Sequence, residues 1–174
     1  MDTQTAAEAA TTMDRTTMER TSEQELVVTR TIDGPRDAVF EAWTDAELFR
    51  QWWVPKSMGL KLLSCEVDAR VGGGYRLTFD IGTDEPMAFF GRYLEVTPPT
   101  RLVWTNEEGD EGTVVTTVTF EEDRAGTRLV IHDRYPSKDA LDAAMASGAT
   151  GWNPESFDQL DELLVTLDAS TGRT

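Results

Sequence analysis

Apolar and polar positions alternate along most of the chain, and the period of that alternation changes in two places. Leu26 to Ile32 is rich in β-branched residues and predicts a strand. Asp33-Gly34-Pro35 ends it; Asp33 or Gly34 suits a helix cap and Pro35 the first turn that follows. Val39, Phe40 and Trp43 then recur at helical spacing, and Thr44-Asp45 is a second cap, opening a short helix from Ala46 to Trp53 that Val54-Pro55 closes.

The middle of the chain has period two. Lys61 to Asp68 predicts a strand and Gly72-Gly73-Gly74 a tight turn. Tyr75, Leu77 and Phe79 alternate with Arg76, Thr78 and Asp80, so one face of that strand is buried. Further strands are expected over Met87 to Val96, Leu102 to Asn106, Thr113 to Phe120 and Thr127 to Asp133, separated by Pro98-Pro99, an acidic turn from Glu107 to Gly112, and Asp123 to Gly126. Val114, Thr116, Val118 and Phe120 share one face. Helical spacing returns over Lys138 to Ala146. Asn153-Pro154-Glu155 then supplies a cap, a first-turn proline and a first-turn acid for a helix to Asp168. Phe157, Leu160, Leu163, Leu164 and Leu167 form its apolar stripe, with acids opposite. Hairpin-connected strands with segregated helices define an α+β domain with an antiparallel sheet.

Residues 1–23 contain no Leu, Ile, Val or aromatic side chain, so little apolar burial is available to offset ordering, and a disordered tail is expected ahead of a domain spanning 24–170. The 174 residues suffice for one core. Sixteen basic residues stand against 32 acidic, a net charge of -16, which disfavours nucleic acid and anionic membrane surfaces as partners. No apolar run approaches the roughly 20 residues of a membrane span, and no basic-then-apolar leader opens the chain, so no secretory signal is expected. A single cysteine, Cys65, excludes an intrachain disulfide and fits a reducing cytoplasm.

Chemistry-bearing clusters are scarce. One histidine, His132, and one cysteine rule out a His- or Cys-based metal cluster, and no metal or other cofactor is expected. Gly72-Gly73-Gly74 lacks the lysine and following helix of a phosphate loop. His132 sits on the last strand between Ile131 and Asp133, sharing a face with Val130 and Arg128; it suits a hydrogen-bonded histidine in or near the core, or a polar contact to a ligand. Five tryptophans, with Tyr75, Phe79, Phe89, Phe90, Tyr93 and Phe157, furnish aromatic surface for a core or for pocket walls.

Several segments occur in a fixed order: Arg30 to Pro35, Val39 to Asp45 and Trp52 to Pro55; Asp68 with Val71 to Arg76; Gly91 to Val96 with Pro98-Pro99 and Arg101 to Val103; Gly126 to Leu129; and Gly151-Trp152 with Leu160 and Leu163-Leu164. Together they resemble the heat-shock protein 90 ATPase activator-like family of the START-like (SRPBCC) superfamily, a group that also includes polyketide cyclase-like proteins. The resemblance covers about residues 24 to 168. It implies a helix-grip fold, a curved antiparallel sheet wrapped round the last helix, with a cavity between them for a small apolar, aromatic or lipid-like molecule. Alternation and resemblance together nominate Trp53, Tyr75, Phe79, Trp104, His132, Met145 and Trp152 as ligand-binding residues. The superfamily's cyclases, aromatases and hydrolases supply a second reading, an enzyme using the same pocket. A chaperone partner, as the family name suggests, supplies a third. A monomer and a homodimer are both compatible with the superfamily.

Overall fold

The computed structural model describes residues 11–13, 16–59, 61–80, 82, 84–107, 112–124, 126–147 and 154–170. Nine antiparallel strands form one sheet: β1 (Thr11–Met13), β2 (Thr16–Arg20), β3 (Glu25–Ile32), β4 (Lys61–Val67), β5 (Gly74–Asp80), β6 (Met87–Thr97), β7 (Arg101–Asn106), β8 (Val114–Asp123) and β9 (Gly126–Arg134). Their order across the sheet is β1-β2-β3-β9-β8-β7-β6-β5-β4. Strands β4 to β9 are a run of neighbours in sequence, and β3 closes against β9, pairing Glu25 with Arg134 through Ile32 with Thr127. Register breaks at Leu62/Ser64 and Tyr93/Glu95 add bend to the sheet.

Four helices cover one face: α1 (Arg36–Thr44), α2 (Ala46–Trp52), α3 (Lys138–Ser147) and α4 (Pro154–Ser170). The curved sheet against the C-terminal helix, with two short helices after β3, is the expected helix-grip arrangement. Asp45 is the cap of α2, accepting from Glu47 N and Leu48 N. For α1 the cap position is Pro35, and no side chain caps it. Asp33 instead donates its backbone N–H to Asp161 Oδ1 on α4, at 2.8 Å. Asn153 and most of the acidic turn after Glu107 lie outside the described residues.

Residues 16–20 differ from the sequence expectation of a disordered tail. They form β2, paired with β3 from Thr16–Arg30 to Arg20–Leu26. The physical reason is Arg30. It alternates onto the inner face with Leu26, Val28 and Ile32 and is 1% exposed. Its guanidinium donates to Thr16 Oγ1 at 3.0 Å, Asp158 Oδ1 at 2.8 Å and Asp161 Oδ2 at 2.6 Å, and its Nε to Thr31 O at 3.2 Å. Phe157 lies under it, 5.8 Å from ring centroid to guanidinium carbon. Thr16 is thus held by a hydrogen bond that apolar composition does not reveal.

Helix α4 grips the preceding helices as well. Gln159, buried, donates to Trp52 O and Val54 O at 2.9 Å each and accepts from Lys56 N at 2.8 Å, satisfying carbonyls that the end of α2 leaves open. Ser156 Oγ donates to Trp53 O at 2.7 Å.

Replacing Arg30 with Met removes the donor that Thr16, Asp158 and Asp161 share. Because Asp158 is half exposed and can resolvate, the loss is expected at about 2–3 kcal/mol, below the full penalty of a stranded buried charge. Urea unfolding with amide exchange checks it: the expected outcome is a lower midpoint with faster exchange in β2 than in β8.

Candidate functional site

The inner face of the sheet is apolar at both ends and polar in between. One hydrophobic cluster joins Val118, Phe120, Leu129 and Ile131 to Phe40, Trp43, Trp52, Phe157 and Leu160 of α1, α2 and α4. A second joins Leu26, Tyr135, Ala140 and Leu141, with Val114 and Ala144 beside it. Between them, each of β7, β8 and β9 places one polar residue on this face: Asn106, Thr116 and Asp133. Thr116 and Asp133 are paired across the strands and 2–3% exposed.

Hydrogen-bond chemistry fixes the direction of this row. An indole N–H can only donate, so the Asn106 atom 3.2 Å from Trp104 Nε1 is the amide oxygen. Tyr75 Oη, 2.6 Å from that same oxygen, must therefore donate its proton to it. The Asn106 amide nitrogen donates to Val114 O at 3.1 Å and Thr116 Oγ1 at 2.8 Å, and Thr116 passes its own proton to Asp133 Oδ1 at 2.5 Å. All four hydrogen-bonding positions of Asn106 are used, which holds Trp104 and Tyr75 in one orientation. Any further polar contact that Tyr75 Oη makes is as an acceptor.

Aromatic rings frame the row. Trp43 is their hub, with ring centroids 5.0 Å from Trp52, 5.9 Å from Trp104, 5.9 Å from Phe120 and 6.5 Å from Trp53. Trp104 in turn meets Tyr75 at 6.4 Å and Tyr93 at 6.2 Å. Tyr75 can lie flat against the sheet because Gly91 is its cross-strand partner; a Cβ there would come within 2.9 Å of the Tyr75 ring and collide with Thr105 O. Burial raises the Tyr93 phenol above its ordinary value and pushes the Cys65 thiol up to about 11, so both stay protonated at neutral pH.

Of the residues the sequence nominates, Tyr75 and Trp104 are brought together, and Trp53 joins them through Trp43, stacked on Phe49 at 5.0 Å. Phe79 is buried further along β5, against Phe89 at 5.4 Å. His132 follows Ile131 and precedes Asp133, so it points to the opposite face from both, and its Nε2 lies 2.9 Å from Glu25 Oε2. Met145 stands on α3, 40% exposed. Trp152 lies outside the described residues. Asn106, Thr116 and Asp133 were not nominated. Their signal was available for Thr116, a polar residue on an otherwise apolar alternating face. Among the described residues no group of three His, Cys, Asp or Glu side chains is placed to hold a metal ion, and no helix is long and apolar enough to cross a membrane.

Comparison with known proteins defines the class. Residues 33–165 match the family model described as Activator of Hsp90 ATPase homolog 1-like protein, and the chain belongs to that family. Many solved structures are similar to it, among them the following three. A protein from Rhodobacter sphaeroides is 23% identical with a TM-score of 0.78, over 86% of this chain and 97% of that one. A protein from Chromobacterium violaceum is 30% identical with a TM-score of 0.62, over 81% and 97%. An AHSA1-like protein from Aeromonas hydrophila is 21% identical with a TM-score of 0.62, over 85% and 94%. Among curated proteins none matches significantly.

The His132–Glu25 contact yields a pH prediction. Glu25 titrates below its ordinary value, first because Ser22 Oγ donates to it at 2.8 Å and then because His132 bonds it. A carboxyl depressed by folding adds stability above its unfolded value, and that contribution is lost as pH falls through the folded value. Ser22→Ala is expected to move the Glu25 midpoint up toward the ordinary range, read from its side-chain carboxyl carbon by NMR. The Glu25 contribution to stability should then be smaller than in the wild type, and its loss on acidification complete at a higher pH.

Proposed function

We propose that this protein binds a small apolar or aromatic molecule between the inner face of its sheet and helix α4. The observation that carries the reading is the polar row Tyr75–Asn106–Thr116–Asp133 set between two apolar clusters. Pocket walls of this kind, mostly apolar with a few oriented polar groups, are typical of small-molecule sites. A folded core gains little from a row of polar residues there, since their bonds return roughly what desolvation removes. A ligand gains orientation from them. Apolar burial drives association, at about 25 cal/mol per Å2 before the costs of binding. Tyr75 commits its proton to Asn106, so it would meet the polar end of the ligand as an acceptor, which favours a ligand carrying a hydroxyl or N–H group. The family membership is compatible with this reading.

Native mass spectrometry on protein purified from its own host tests it, with denatured extraction to identify what is bound. The expected result is a stoichiometric apolar adduct, depleted in an Asn106→Leu variant that still unfolds cooperatively. A clean ligand-free mass for the wild type, with no small molecule in the extract, would sink the proposal.

A further inference from the structure

Helix α1 and the turn between β6 and β7 enclose a surface groove of about 410 Å3, lined by Asp37, Phe40, Glu41, Thr44, Pro98 and Pro99. Its floor is Phe40, only 7% exposed, and its far wall is the proline pair. Asp37 and Glu41 stand one helical turn apart on the near rim, both exposed. Some other surface acids face a base: Glu47 faces Arg50, Glu95 faces Arg101 and Glu121 faces Arg128. Among the described residues, neither the Asp37 nor the Glu41 carboxylate is in a hydrogen bond or ion pair.

The polar lining has a single chemical character. Thr44 commits its hydroxyl proton to Phe40 O at 3.0 Å, leaving lone pairs. Prolines carry no N–H. The two carboxylates only accept. The groove therefore offers acceptors over an apolar floor and no donor. Its complement is a group that only donates, is cationic, and arrives on an apolar stem. Arginine fits each requirement: five N–H donors, no acceptor, a permanent charge and a three-carbon stem. Carboxylates at i and i+4 sit about 5–6 Å apart at their Cβ atoms, a span that a planar guanidinium bridges with separate N–H groups in a fixed fork.

We propose that this groove binds an arginine side chain presented by a basic segment of a protein partner. The guanidinium sits between Asp37 and Glu41 and the stem lies on Phe40 and the proline wall. The net charge of -16 draws such a segment in from a distance. This site is independent of the small-molecule reading, which concerns the inner face.

The test titrates the full-length 15N-labelled protein with acetyl-Gly-Arg-Gly-amide. Saturable shifts are expected in the amides of Asp37 to Thr44 and in Thr97 and Thr100, and none with the matched citrulline peptide, which keeps the shape and loses the charge. The double variant Asp37→Asn, Glu41→Gln should weaken the peptide by at least roughly threefold, on the scale of exposed ion pairs. A control with the same loss of charge, Glu19→Gln with Glu66→Gln, should leave affinity unchanged. The proposal is overturned by a flat titration, by equal binding of the citrulline peptide, or by equal weakening in the control. Equal affinity for agmatine would also overturn it, reassigning the groove to a free small cation.

Discussion

The contacts of the buried cation Arg30 tie distant segments of this molecule together. Arg30 emerges from the middle of β3 into the space beneath α4, where a bare guanidinium would be costly to desolvate. Its position is tolerable because Thr16 arrives from β2 and Asp158 and Asp161 from α4. The three segments are separated widely in sequence and are obliged to meet. Asp161 then reaches back to the amide of Asp33, so the same carboxylate sets where the chain leaves the sheet for α1. One turn along, Gln159 and Ser156 hold the end of α2 by its carbonyls. The placement of α1 and α2, and of Trp43, Trp52 and Trp53 on them, follows from how α4 is anchored.

Met18 packs against both apolar clusters, the one under α1, α2 and α4 and the one beside α3, while Asn106, Thr116 and Asp133 run between them on β7, β8 and β9. Each polar group there has a partner, and the chain of donors has one direction, set at its end by an indole that cannot accept. A closed network of this kind restricts the rotamers of Tyr75 and Trp104 before anything binds. Such preorganisation lowers the ordering cost of association.

Much of this was legible in the sequence. Every strand from Glu25 onward stands within a few residues of its alternating pattern, and Asp45 caps α2 as its position foretold. The misses have particular physical causes. Apolar composition alone decided the tail, whereas Thr16 is held by a hydrogen bond to a residue 14 positions away. Arg30 interrupts a β-branched run and gave no sign of its sidedness; neither did Asp158 and Asp161, which look like solvated acids opposite the stripe. The inward face of β9 could not be chosen from alternation, since Val130 and Ile131 are equally apolar on opposite faces. In the sheet Asp133 pairs with Thr116 on the inner face, and His132 pairs with Thr117 on the other.

The central claim is that a small aromatic molecule is received against the Asn106 row. Trp104 and Asn106 carry side-chain N–H groups whose resonances report on that row directly. Titrating the 15N-labelled protein with 1-naphthol, an aromatic probe with one hydroxyl donor, is the most direct measurement. The account predicts saturable movement of the Trp104 indole and Asn106 amide signals, with the backbone of His132 on the opposite face unmoved. Saturable shifts confined to other surfaces, or no saturable shift at Trp104 and Asn106, would contradict it.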